Sequence, residues 1–311
     1  MILPPQLQTP IHAEDGSILR SLFGDLTIYL ERLTEDQLNA VVAWYESVCP
    51  PGRMTQYTLE ELSDWDEVST PAALTKHGRE ARARGERLPF LAPVRRRIAE
   101  GRRFYVQFWD GEVVDPWSLT LRAPHYEDLG LRPFVRLLVP VGSVEWLPEF
   151  AGDLAGMLDF HSGHAGLAFG YNPWWLEDAF DGIYAKARRF WGVDVEHLNG
   201  TMRAIKPGIK GISWLTLLGR DLVSEELLAA LQASRDRQVT QRGGGVLIRL
   251  GDEPDIGDQN RPSPAMNKYF DLAALLDPLF VAQHLDFPGA FEDQGNTMEW
   301  IRRFIEPDGW R

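Results

Sequence analysis

Two stretches of this chain hold side chains at spacings that chemistry can use. Asp159-Phe160-His161-Ser162-Gly163-His164 offers a His-x-x-His pair with a carboxylate beside it. Asp159, His161 and His164 can ligate zinc when such a pair sits on one helical turn. Gly163 between the histidines points instead to a turn, and no His-Glu-x-x-His pattern occurs anywhere. A helix C-terminus, with His161 near the dipole and Gly163 as cap, accounts for the same residues without a metal. The second stretch, Asp252-Glu253-Pro254-Asp255-Ile256-Gly257-Asp258, gathers four acids in seven residues. Paired carboxylates serve glycosidases, and several carboxylate oxygens together hold hard cations. Pro254 and Gly257 make the stretch a loop, and Asp258 before Gln259-Asn260 suits side-chain bonding to the loop's own backbone. An exposed acidic loop also suits recognition by a basic protein.

Other patterns carry less. The glycines of Arg242-Gly243-Gly244-Gly245 precede the strand-like Val246-Leu247-Ile248, whereas a phosphate-binding loop opens a helix with Gly-Lys-Ser/Thr. A hairpin tip is the simpler reading. There is no Gly-x-Ser-x-Gly nucleophile elbow. The single cysteine, Cys49, ends an amphipathic segment before two prolines and reads as structural; alone it can form no intrachain disulfide. Eleven tryptophans exceed what one surface needs, so most belong to the core, Trp214 among them. Asn172-Pro173-Trp174-Trp175 is the exception, because a turn cannot easily bury two adjacent indoles.

The elements that position these residues are legible from periodicity. Leu22, Leu26, Ile28 and Leu30 share one face of a strand. Thr34-Glu35-Asp36-Gln37 is a capping box, and Leu38, Val41, Val42, Tyr45 and Val48 recur at helical spacing until Pro50-Pro51. Phe104, Val106 and Phe108 alternate with Tyr105, Gln107 and Trp109. Trp117, Leu119 and Leu121 alternate likewise, and Asp110-Gly111 turns the chain between the two runs. Phe134–Val139 reads as a more buried strand, 143–159 as a helix and His164–Tyr171 as another strand. In the second half Ile212–Leu218 predicts a strand, and Ser224-Glu225-Glu226 caps a helix with Leu227, Leu228 and Leu231 inward. Val239 and Val246–Ile248 flank a hairpin, and helices follow around Tyr269–Leu276 and Met298–Ile305. This order predicts an α+β fold of antiparallel sheets with packed helices, in two related or adjoining lobes. The expected division is a loose lead-in over 1–17, an N-terminal lobe over 18–160 and a C-terminal lobe over 161–311, in one continuous unit.

Composition narrows the function. The 311 residues are 44% hydrophobic and 25% charged, ordinary for a folded protein. No apolar run reaches the ~18 residues of a membrane span. Met1-Ile2-Leu3-Pro4-Pro5 lacks a basic n-region and a long apolar h-region, which predicts no secretory signal and a cytoplasmic protein. Forty-five acids against 32 Lys and Arg give a net charge of −13. Such a field repels nucleic acid and anionic lipid and favours a basic partner. Between Lys76 and Arg103 the balance reverses, with ten Lys or Arg against three Glu. That segment lacks interleaved aromatics and reads as a solvated face or an internal dock for acids.

Gly211-Ile212-Ser213-Trp214-Leu215-Thr216-Leu217-Leu218-Gly219, then Gly244-Gly245, then Pro254-Asp255-Ile256-Gly257-Asp258-Gln259-Asn260-Arg261, and finally Tyr269 with Leu276-Asp277-Pro278, together resemble the type VI secretion immunity family of TsiV type, formerly a domain of unknown function. The resemblance spans 15–311 and is densest over 211–280. It implies a cytoplasmic protein that binds and neutralises a cognate effector toxin, often a nuclease, with no catalytic residues and no cofactor. The acidic charge suits that role, because a nuclease presents positive charge to DNA. Candidate toxin contacts are Asp252, Glu253 and Asp255 with Trp174 and Trp175. The competing readings are a metal- or carboxylate-dependent hydrolase, built on Asp159, His161 and His164 or on a carboxylate pair, and a peptide-binding scaffold using the tryptophan turn.

Overall fold

The computed structural model describes residues 3–59, 66–67, 79–80, 83–85, 88, 91–112, 114, 116–124, 130–172, 175–261 and 263–310. Among the described residues twelve strands join in one sheet: β1 (Ile11–His12), β2 (Ile18–Leu30), β3 (Gln56–Thr58), β4 (Asp66–Glu67), β5 (Phe104–Trp109), β6 (Ser118–Ala123), β7 (Phe134–Val139), β8 (Phe160–Tyr171), β9 (Asp194–Val195), β10 (Leu215–Leu218), β11 (Gln238–Arg242) and β12 (Gly245–Arg249). Their order is β11-β12-β10-β8-β2-β7-β6-β5-β3-β4, with β1 against β2 and β9 against β8. Every named pair is antiparallel apart from β8–β9. The fold is α+β, as the alternating runs predict. Among the described residues no helix is long and apolar enough to cross a membrane.

The two central strands are longer than their periodicity announces. β2 starts at Ile18, before the expected Leu22, and β8 at Phe160, before the expected His164. They pair from Arg20↔Tyr171 to Leu30↔Phe160, with one register shift at Tyr29/Leu30. Both are covered on two sides, so almost every residue is buried and the alternation that betrays a half-exposed strand disappears. Gly170 permits the pairing, because the Phe23 ring fills the space a Cβ would need.

Register then sorts the sheet into two chemically different faces. One cross-strand row reads Phe108, Leu119, Leu137, Leu26, Ala165, Leu215. The next reads Gln107, Thr120, Arg136, Thr27, His164, Thr216. Successive residues of a strand point to opposite faces, so one row lines an apolar face and its neighbour a polar one. Helices Glu35–Val48 and Leu147–Met157 cover the apolar face, where Tyr45 meets Phe108 and Trp44 meets Phe150. The first of these helices carries the expected capping box between Thr34 and Gln37. Within the expected helix over 143–159, a 3-10 turn occupies Val141–Trp146 and the α-helix begins at Leu147, where Pro148 fits its first turn.

The polar face is buried under the second half of the chain. There Phe180, Tyr184, Phe287, Phe291 and Trp310 form edge-to-face and stacked contacts, with Phe291 and Trp310 at 5.8 Å and 5°. Trp214 is buried, and its indole donates to Gly251 O at 3.1 Å. The expected hairpin is β11–β12, turning at Gly243 with φ +54°. Of the expected inward leucines on helix Glu225–Ala233, Leu231 is buried and Leu227 and Leu228 are half-buried. The lead-in carries the short helix Pro5–Gln8 and β1, with Leu3 and Leu7 buried. Most of the basic run over 76–90 lies outside the described residues; its end forms helix Ala92–Ala99, whose Val94 and Ile98 are buried.

Candidate functional site

The polar face of the sheet collects a buried charge cluster. Asp194-Val195-Glu196 alternates, so both carboxylates face one way beside β8. Lys210, beyond the turn at Pro207-Gly208, donates from Nζ to Asp194 Oδ2 at 2.8 Å, Glu196 Oε2 at 2.6 Å and Val195 O at 3.1 Å. His164 Nε2 lies 3.2 Å from Asp194 Oδ2 and 2.9 Å from Glu196 Oε2. Thr201 Oγ1 donates to Glu196 Oε1 at 2.7 Å and sits 3.0 Å from His284 Nε2. Further along the same face, Asp25 accepts from Thr27 and from the Arg136 guanidinium.

Electrostatics favour the charged forms of Lys210 and Glu196. Burial opposes the Lys210 ammonium, but Asp194 and then Glu196 outweigh it and keep its pKa above the ordinary value. Burial likewise opposes the Glu196 carboxylate, yet Lys210 and His164 drive its pKa well below the ordinary value. Burial lowers the nearby Arg303 guanidinium to about 10 and the His284 imidazole to about 4.

His164, Asp194 and Glu196 are the single trio among the described residues whose ligand atoms all lie within 4.8 Å of one another. The position between their oxygens is taken by the Lys210 ammonium, which supplies the cation the carboxylates require. The adjoining cavity, between His164, Lys210, Trp300 and Arg303, holds about 10 Å³. That suits one water and no substrate. The chemistry available here is internal neutralisation, which pins β8, β9 and the 207–210 turn together.

The structure separates the histidines that the sequence places three residues apart. His161 Nε2 bonds the carbonyls of Ile205 and Gly208 at 3.0 and 3.1 Å, and its Nδ1 faces Glu31 at 3.1 Å. Burial and then Arg132 lower its pKa. Asp159 belongs to neither histidine's set of partners; its carbonyl accepts from Glu31 N. The helix C-terminus offered as the metal-free reading is corrected to strand: helix Leu147–Met157 ends before β8 begins at Phe160, and Gly163 pairs with Ile28 and Leu217. Cys49 is buried, and burial pushes its thiol pKa up, the opposite of what a nucleophile needs.

The acidic loop divides its labour. Asp255 Oδ1 accepts from Gly257 N at 2.7 Å, and Asp258 Oδ1 from Asn260 N at 3.0 Å. Asp258 is also clamped by Arg189 through bonds of 2.7 and 2.8 Å, which lower its pKa. The Asp252 side chain is 96% exposed, with Arg249 at 4.0 Å. Asp252, Glu253 and Pro254 border an open cleft of about 420 Å³, which Asp255 does not reach. Trp175 opens helix Leu176–Ala187 and is among the four exposed large hydrophobics of the described residues. Trp174 lies outside the described residues. Trp175 follows the end of β8, where Tyr171 pairs with Arg20; Ser21 and Leu22, next along β2, line the cleft. The loop and the indole therefore share one end of the central strand pair.

Asp194, Glu196 and Lys210 escape a motif reading because they belong to no known spacing. The alternation Asp-Val-Glu was the available signal, and it becomes meaningful only once His164 lies beside it. Val114, Glu145 and Trp146, near the cleft, carry no sequence signal at all.

A family model described as TsiV, type VI immunity for VRR-NUC, matches residues 135–304, more than half of the chain. Among solved structures, Pseudomonas aeruginosa T6SS protein PA0821 superposes with a TM-score of 0.70 at 20% identity, covering 97% of this chain and 90% of that one. At that identity the likeness is one of fold. No curated protein matches the chain.

Proposed function

We propose that this chain, which belongs to the TsiV family of type VI immunity proteins, neutralises one cognate effector by tight one-to-one binding and that the effector is a nuclease. The single observation that carries the reading is the family match. Its description pairs type VI immunity with VRR-NUC, and the nuclease partner is taken from those words. The charge of the chain supports it: at −13 it complements the cationic surface with which a nuclease meets DNA, and opposite fields accelerate encounter. The hypothesised mechanism is occlusion in the cytoplasm of the producing cell, by binding without turnover. Asp252 and Glu253, with Trp174 and Trp175, cover the effector's substrate cleft, while Asp255 and Asp258 hold the loop in shape.

Co-expression tests this directly. The product of the reading frame adjacent to this chain's gene is expected to arrest growth alone and to be silenced when this chain is present. Stopped-flow mixing of the two is expected to slow several-fold between low and physiological salt, with dissociation little changed. Growth arrest that persists with this chain present would sink the reading.

A further inference from the structure

The cleft beside the acidic loop combines features that neither its floor nor its rim has alone. Leu22, Val144 and Trp214 are buried side chains that reach its wall. Glu145, Asp252 and Glu253 line the same cleft and are exposed. No Lys or Arg lines it among the described residues, and Glu145 pairs with no base among them. Arg249 stands 4.0 Å from Asp252 and offsets that one charge in part.

Of the four exposed large hydrophobics among the described residues, Val114 lines this cleft and Trp146 follows its lining residue Glu145 in sequence. Val114 lines it at 37% exposure. Trp146, 41% exposed, follows Glu145, and its indole is held by Trp117 at 5.9 Å and Phe150 at 6.1 Å. A fixed, half-exposed indole next in sequence to a cleft-lining carboxylate is a ready anchor, since it loses little rotamer freedom on contact.

We propose that this cleft receives the effector, and that the inserted segment carries an apolar side chain flanked by Lys or Arg. The proposal rests on the immunity reading and adds where the partner docks and what its surface must look like. An apolar floor rewards an inserted side chain, and the carboxylates of Glu145 and Asp252 at its rim select for cations beside it. A nucleic acid strand is repelled by the rim, and an acidic peptide is repelled as well.

The test uses the full chain and the product of the reading frame adjacent to its gene, with binding followed by biolayer interferometry. The double reversal Glu145→Lys/Asp252→Lys is expected to weaken binding at least ~10-fold, chiefly through association. Trp146→Ser is expected to cost a similar factor, chiefly through dissociation. Leu285→Ser, an equally exposed hydrophobic outside the cleft, serves as the control and is expected to bind like wild type. Thermal melts establish that each variant is folded, and the charge reversal alone decides the matter should Trp146→Ser melt early. Wild-type binding with both cleft variants within about twofold of it overturns the docking site and leaves the immunity reading standing. Failure of wild type to bind or to rescue growth overturns the reading itself. A concentration-dependent dimer in sedimentation velocity, broken by the cleft variants, assigns the cleft to a second copy and also overturns the proposal.

Discussion

Asp194 and Glu196 sit 2.8 and 2.6 Å from the Lys210 ammonium and are buried, whereas Asp252, on a loop three strands later, has a side chain 96% exposed. The same functional group does opposite work in the two places. In the interior a carboxylate must find a cation, and the pair then fixes three segments relative to one another. At the surface a solvated carboxylate, even with Arg249 at 4.0 Å, contributes little to folding and mostly to the field a partner meets. The acidic loop itself contains both kinds, since Asp258 is spent on Arg189 and Asp252 is not.

The hardest way to break this contrast is to remove the interior cation. Lys210→Ala takes the ammonium from two buried carboxylates and is expected to cost ~3–5 kcal/mol of stability, read by urea unfolding. Replacing the whole group, as in Asp194→Asn/Glu196→Gln/Lys210→Met, is expected to return most of that loss, because the unpaired charge is gone. A triple variant as unstable as the single one would mean that shape, rather than charge, dominates there.

Titration sharpens the contrast. His161, His197 and His284 are held neutral by burial, His284 down to about 4. A histidine whose folded pKa is depressed takes up its proton in the unfolded chain first, so stability falls as pH drops below about 6.5, the unfolded value. For His284 the loss continues to about pH 4, where the folded protein also binds the proton. Its slope is about 1.4 kcal/mol per pH unit between those limits. Glu196 contributes in the same direction only below its unfolded value of 4.5, because its folded pKa is depressed. Lys210, raised in the fold, loses its contribution only above 10.5. Melts between pH 7 and 4 are expected to show the decline, shallower in His284→Gln.

A smaller effect is expected at the loop. Arg189→Ala removes the clamp on Asp258 and is expected to cost about 1–3 kcal/mol of stability, read by urea unfolding. Asp252→Ala is expected to leave stability within ~0.5 kcal/mol of wild type, checked by the same melts, and to register only in binding.

Local elements were legible wherever the cause was local. Thr34 and Gln37 close their capping box within four residues, Ser224 caps Leu227 N, and Gly243 turns its hairpin. The strand Phe104–Trp109 buries alternate residues because one of its faces is covered and the other less so. β2 and β8 were read short, because strands buried on both sides lose the period that reveals them. The acidic loop was legible as a loop, and the self-bonding of Asp258 followed from Asn260 two residues on. The grouping of Asp159 with His161 and His164 did not survive folding, since neighbours in a strand find partners on other elements.

By itself the sequence settled the charge, the element types, the caps and turns, and the resemblance to an immunity family, densest over 211–280, since each depends on composition or on residues a few positions apart. Only tertiary structure decided which carboxylates meet Lys210, which sheet face is polar, and that Glu145 and Asp252 share one cleft. Those outcomes depend on strand register and crossover, where a one-residue slip exchanges the faces, and no local pattern encodes that choice.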